Sequence, residues 1–387
     1  MFRVLFAIGF RPFYLLASLY AGLAVLFWAH LALGGAGPGG DFNGMSWHSH
    51  DMIFGYVAAV IVGFLFTAVR NWTGRKTPDG GALAALVALW LAARLLALTP
   101  YAVLAAVVDL LFLPLAAVGV ARPIIAAKNW RNLFVIAVLM VLWLCNLLLH
   151  GETLWPSVFD GTGQIAKPLA FDVLTLLMAV IGGRVIPFFS ANAIPTLKPV
   201  RLMPLEIGAI GMLVLAAVLE PFRAVDGIAP VLSVVFAVAA ALHGVRLLLW
   251  KPWQTRPQPL LWMLPVSYAW IPVSLGLRAA AQFDGPAEVY GFHALALGAI
   301  GGLTLAMMAR SALGHTGRPL RAGRVEIAAF TLIQVAALAR VVLPQLSSDL
   351  WTPAIALAAA SWSLAFLLFF GRYLPILTRP RFDGRPG

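Results

Sequence analysis

Cysteine is almost absent from this chain: one residue in 387, Cys145. A lone thiol excludes an intramolecular disulfide and any cysteine-held zinc or iron–sulfur site. Charge is scarce too. Only 11% of residues are Asp, Glu, Lys or Arg, against about 25% in soluble domains, which excludes an ordinary water-soluble fold. There is no Walker A pattern, no Rossmann glycine fingerprint, no nucleophile elbow and no His-Glu-x-x-His zinc motif, which removes the common nucleotide-binding and hydrolase classes. No low-complexity stretch and no convincing internal repeat is visible. A cleavable leader is not expected either: the first apolar run, Phe13 to Leu33, is too long, and no small-residue cleavage site follows it.

What is present is hydrophobicity, at 61% of residues with mean hydropathy +0.91. Apolar runs long enough to cross the roughly 30 Å of bilayer hydrocarbon recur from end to end. About twelve are expected, at 13–33, 52–69, 82–98, 101–121, 132–150, 169–189, 204–220, 228–249, 259–281, 290–309, 325–344 and 352–370. Open sheet edges do not survive in lipid, so the spans must be helices. The sequence thus predicts an all-α, polytopic membrane helical bundle forming a single transmembrane domain over 1–387. The formal charge of +12 is spread over many short loops rather than gathered in one patch, so no nucleic-acid partner is expected.

Lys and Arg alternate by loop. One side carries most of them, among others Arg70, Arg75 and Lys76, Arg122, Lys128 and Arg131, and the run from Arg310 to Arg324. The opposite loops hold only Lys167 and Arg223 against Asp41, Asp51, Glu152, Asp160, Asp226, Asp284, Glu288 and Asp349. By the positive-inside rule the basic side is cytoplasmic. Both termini are then inside, which requires an even number of spans.

On that topology His30, His48, His50, His150 and His293 fall at one face, the outer one, at the ends of four different helices. His243 and His315 lie toward the other side. Neutral imidazole is the commonest protein ligand for transition metals and haem iron, so five at one level suggest a metal or haem site. His30 follows Trp28 and reads as interfacial. In Trp47-His48-Ser49-His50-Asp51-Met52 the histidines are two apart, about 200° around a helix. They share a metal only if the backbone there is not helical; otherwise they serve two sites. Met52 is a weaker ligand candidate. Arg94, Arg278 and Arg340 lie near outer span ends, against the charge trend. They suggest an anionic ligand, or they snorkel to headgroups or pair with nearby acids. Asp109 and Asp172 read either as proton-relay groups or as satisfied core acids.

Several stretches together resemble the NnrS family of bacterial membrane proteins. They are Gly9-Phe10-Arg11-Pro12-Phe13, Trp47 to Gly55, Phe64 to Gly74, Gly183-Arg184-Val185-Ile186-Pro187-Phe188-Phe189, Tyr268-Ala269-Trp270, and His293-Ala294-Leu295 through Arg310 to Gly314-His315-Thr316-Gly317-Arg318. The resemblance covers nearly the whole chain. It implies a twelve-span protein of the bacterial inner membrane that contains haem and copper and is tied to nitric oxide and nitrosative stress, in the setting of denitrification. Two departures stand out. Asp51 replaces a Glu, and Pro265-Val266-Ser267 stands where the family pattern has His-Leu-Gly. A reduced or different metal site follows if that histidine is a ligand in relatives.

The expected site on this reading has His48 and His293 as haem ligands, with His50 and His150 available for copper or a second haem and Met52 in reserve. Arg94, Arg278 and Arg340 would hold propionates, and Trp47 would wall the site. No Cys-x-x-Cys-His exists, so any haem is non-covalent, and b-type haem is the expectation. The partner is nitric oxide or a related small ligand, beside the bilayer itself. A full haem–copper nitric oxide reductase is the first alternative. Its architecture, as the resemblance has it, uses six histidines with an adjacent pair, and this chain offers five outer histidines and no His-His. A twelve-span secondary transporter is the second.

Overall fold

The computed structural model of the protein describes residues 2–38, 43–281, 283 and 285–384. Asp41 and Asp284, which entered the charge reading, lie outside them. Among the described residues every regular element is helical, as expected where each backbone N–H and C=O must be satisfied within its own segment.

Twelve helices correspond to the twelve expected spans. They are α1 Phe10–Ala32, α2 Gly44–Thr73, α3 Gly80–Leu96, α4 Ala102–Ala126, α5 Phe134–Leu154, α6 Thr162–Ala193, α7 Met203–Leu219, α8 Ile228–Leu249, α9 Pro259–Ala280, α10 Pro286–His315, α11 Arg324–Leu346 and α12 Trp351–Leu377. Eleven of these positions are long and apolar enough to cross a membrane. The exception is α3, whose 17 residues rise about 26 Å at 1.5 Å each, just short of the hydrocarbon thickness. The outward faces are those of lipid-solvated helices. On α4, Val103, Val107, Leu111, Leu115 and Val118 are exposed, while Asp109, Phe112 and Ala116 on the other face are buried. The apolar stripe points out and the polar group points in.

Helix α2 begins eight residues before the apolar run read at 52–69. The reason is local. Asn43 caps it, its Oδ1 accepting from Met45 N at 3.1 Å and Ser46 N at 3.0 Å, which satisfies two of the orphan donors of the first turn. Gly74 ends it at φ +66°, a left-handed conformation that glycine adopts without strain. His48 and His50 therefore lie inside the helix, not at its mouth. Just after His50 the helix widens to π geometry over Asp51–Val57. A second π segment, Ala294–Gly301, directly follows His293 in α10. Such segments are rare and occur often at functional sites.

The chain forms two compact units. The first comprises Met1–Ala170, Met308–Leu320 and Phe366–Gly387; in it α1 packs on α2, α2 on α4, α3 on α4, and α4 on α5. The second comprises Phe171–Met307 and Arg321–Ala365; in it α7 packs on α8, α8 on α9, α9 on α10, and α10 on α11.

Candidate metal centre

In the first unit a buried polar cluster is assembled from five helices. His50 and Asp51 come from α2, Arg94 from α3, Asp109 from α4, Asn146 and His150 from α5, and Tyr20 from α1. Asn146 and His150 are four residues apart and so share a face of α5. Both reach the same carboxylate oxygen: Asn146 Nδ2 donates to Asp109 Oδ2 at 2.8 Å, and His150 Nε2 lies 3.0 Å from it. His50 Nε2 is 3.4 Å from that oxygen and 2.7 Å from Asn146 Oδ1. One ligand atom from each of His50, Asp109 and His150 can be chosen so that all three lie within 4.8 Å of one another.

Behind these atoms sits a second layer. His50 Nδ1 is 3.2 Å from Asp51 Oδ2. Asp51 Oδ1 accepts from Arg94 Nη1 at 2.8 Å and from the Tyr20 hydroxyl. Arg94 Nη2 donates to Asp109 Oδ1. A carboxylate on the far nitrogen of an imidazole fixes ring orientation and tautomer, the usual support for a metal-ligating histidine. The close approach depends on Gly55 in the π segment. A Cβ there would sit 2.9 Å from the Tyr20 ring and 3.0 Å from Arg94 Nη1. The Gly55 carbonyl also accepts from Trp90 Nε1 at 3.0 Å.

The charge count shows what the cluster can do. Asp51 and Asp109 are buried with one arginine between them, so the pair of carboxylates exceeds the fixed positive charge by one. An uncompensated buried charge is costly, and the site closes its balance with a proton on an imidazole or with a bound cation. The donor set is two imidazole nitrogens and one carboxylate oxygen, with an amide oxygen beside them. Nitrogen and oxygen donors with no thiolate suit Cu(II), Zn or non-haem Fe, so the residues present fit copper. Asp109 is thus a ligand-grade carboxylate that the sequence offered only as a relay group or core acid. Asn146 and Tyr20 were not singled out at all. The one available signal was that intramembrane polar side chains are rare and have partners.

The other expected residues separate. His48 is helical and two residues from His50, so it faces away from the cluster and stacks on Trp28 with ring centroids 4.2 Å apart. The two histidines therefore serve different surroundings. Trp47 is buried edge-on to Phe27 at 5.2 Å. Met52 lies in the π segment and is partly exposed. His30 is exposed near the end of α1, as an interfacial residue should be.

In the second unit, the His293 Nδ1 hydrogen is donated to Val289 O at 2.7 Å. A carbonyl only accepts, so this contact places the lone pair on Nε2. His243 is held within the fold, Nδ1 with Tyr268 Oη at 2.6 Å and Nε2 with Ala209 O at 3.2 Å, and it is not among the grouped ligand residues.

The three outer arginines, expected together as propionate holders, do not behave alike. Arg94 is neutralised by Asp51 and Asp109. Arg278 is buried against Asp172 and Glu220, with its guanidinium carbon over the rings of Phe236 at 4.1 Å and Phe292 at 4.9 Å. For these two, pairing with nearby acids is what the structure shows, because a guanidinium in a dry interior needs a counter-charge. Asp172 is correspondingly a paired core acid. Arg340 has no such partner among the described residues.

Comparison with known families matches the chain to the model described as NnrS protein, over residues 4–381. No curated protein matches it. The matched range takes in the helices of the cluster and both π segments, and the chain belongs to the NnrS family.

Proposed function

We propose that this chain is a haem- and copper-containing protein of the bacterial inner membrane that binds or detoxifies nitric oxide. Family membership supports a membrane protein of the nitric-oxide response. The observation that carries the metal assignment is the His50–Asp109–His150 group, whose buried carboxylates exceed their arginine by one charge.

Copper bound by this group supplies a redox-active Lewis acid able to coordinate a small ligand such as nitric oxide. The protein's part is orientation. Asp51 holds His50 through Nδ1, Arg94 and Tyr20 hold Asp51, and Asn146 holds Asp109 beside His150. Two imidazoles and one carboxylate leave open positions for an exogenous ligand. The candidate haem ligands, each taken within its own unit, are His293 in the second, whose Nε2 lone pair is presented by the Val289 contact, and His48 in the first. The alternation of Lys and Arg supports cytoplasmic termini and a copper group toward the outer face.

Binding ranks above full reductive turnover. The described copper group has two imidazoles, one fewer than the three that the haem–copper reductase architecture uses on its metal. The test is direct. Full-length protein purified from haem- and copper-replete cells is expected to retain copper and to show a Soret band that shifts on dithionite reduction and on NO addition. His50→Ala or His150→Ala is expected to lose the copper. A colourless, metal-free wild-type protein overturns the reading and brings the secondary transporter to first place.

A further inference from the structure

Among the described residues Arg340 is the one of these three arginines left without a carboxylate. It lies on α11, 95% buried. Its Nε and Nη1 are shielded from solvent and have no hydrogen-bond partner among the described residues. The face of its guanidinium is covered, with Cζ 4.4 Å from the Trp351 ring centroid. Stacking uses only the face. The N–H donors point outward in the guanidinium plane, so the indole leaves them unspent. A buried cation with idle donors is among the costliest arrangements a protein keeps.

The surroundings narrow what would answer it. Residues Pro286–His293 of α10, which carry Tyr290 and His293, pack on α11, which carries Arg340. His293 offers a lone pair at Nε2, because its Nδ1 hydrogen is committed to Val289 O. A lone-pair donor and an idle guanidinium on packed neighbouring helices suit a ligand with an electron-accepting centre and an anionic oxygen.

We propose that Arg340 is the receptor for an anionic oxygen of the carboxylate or small-oxyanion class, held beside His293 within the second unit. Two sources share this chemistry: a carboxylate carried by a metal-bearing cofactor, and a free anion from solution. The cofactor arm rests on the haem reading above; the free-anion arm does not.

The experiment uses full-length protein in a maltoside detergent, which contributes no oxyanion. Iron protoporphyrin IX and its dimethyl ester are titrated into wild type, Arg340→Gln and Arg340→Lys by absorbance. Sodium formate is titrated against sodium chloride at equal ionic strength, with thermal unfolding as the readout. A charge-assisted hydrogen bond is worth roughly a ten- to hundredfold in affinity. In the cofactor arm, wild type prefers the free acid to the ester by that factor and R340Q shows no preference. In the free-anion arm, formate raises the unfolding temperature of wild type but not of R340Q, with no ester discrimination. R340K, which keeps the charge but loses the planar donor set, is expected between the two. If R340Q does not fold, wild type and R340K decide. A wild type that neither distinguishes acid from ester nor responds to formate overturns the proposal, as does an R340Q equal to wild type in both arms. A wild type that binds no porphyrin but is stabilised by formate defeats the haem reading and leaves this one standing.

Discussion

Arg94 bridges Asp51 and Asp109. Its Nη1 donates to Asp51 and its Nη2 to Asp109, so one guanidinium on α3 ties the carboxylate behind His50 to the carboxylate between the two histidines. The link makes the ligand layer and its support a single electrostatic unit, and it determines what substitutions there should do.

Arg94→Gln removes the only fixed cation between two buried carboxylates. Breaking a buried pair by deleting one partner costs about 3–5 kcal/mol. The variant is expected to unfold at markedly lower temperature in detergent, and added copper should recover part of the loss because a bound cation replaces the missing charge. An R94Q protein as stable as wild type, with or without metal, would show that the acids are not both ionised.

Tyr20→Phe and Asp51→Asn act one layer back, since Asp51 meets His50 at Nδ1 and the Tyr20 hydroxyl donates to Asp51. Outer-layer partners of metal histidines typically contribute 10- to 100-fold in affinity. Copper competition against a chelator is expected to show a loss of that size for D51N and a smaller one for Y20F. Equal affinity in all three proteins would disconnect Asp51 from ligand orientation.

Gly55→Ala tests the close approach within the π segment. The added Cβ meets the Tyr20 ring at 2.9 Å and Arg94 Nη1 at 3.0 Å, so overpacking of about 1–3 kcal/mol is expected, with weaker copper retention. Gly81→Ala is the control, since a Cβ there meets nothing within 4 Å and alanine favours helix. If the two variants match in unfolding temperature and copper content, the π segment is not shaping the site.

His243→Ala separates histidines that hold structure from those that bind metal. Both its ring nitrogens are used within the second unit, on Tyr268 and Ala209. Losing them leaves the Tyr268 hydroxyl hydrogen without its acceptor, although that oxygen still accepts from Arg246 Nη1, a cost of about 1–3 kcal/mol. Thermal stability should fall while copper per chain stays at the wild-type level. Loss of copper without loss of stability would contradict the placement of the metal in the first unit.

Composition and periodicity alone determined that this chain is a bundle of about twelve membrane helices. Long apolar runs in lipid admit one backbone solution, and that argument needs no tertiary contact. The same reasoning marked His50 and His150 as residues at one level, and the two-residue spacing of His48 and His50 already meant divergence if the backbone was helical. It did not find the Asn43 cap that carries α2 past both histidines, because hydropathy reports burial and not hydrogen bonding at a helix start. Nor could it choose among partners. Arg94, Arg278 and Arg340 look alike in sequence, each a lone arginine in an apolar run. Only the packing of neighbouring helices decided that Asp51 and Asp109 answer the first, that Asp172 and Glu220 answer the second, and that Trp351 covers the face of the third, with no counter-charge among the described residues. Asp109 became a ligand candidate for the same reason. Its role is set by Asn146 and His150 on another helix, about forty positions away in the chain, and contacts at that separation are a property of the fold.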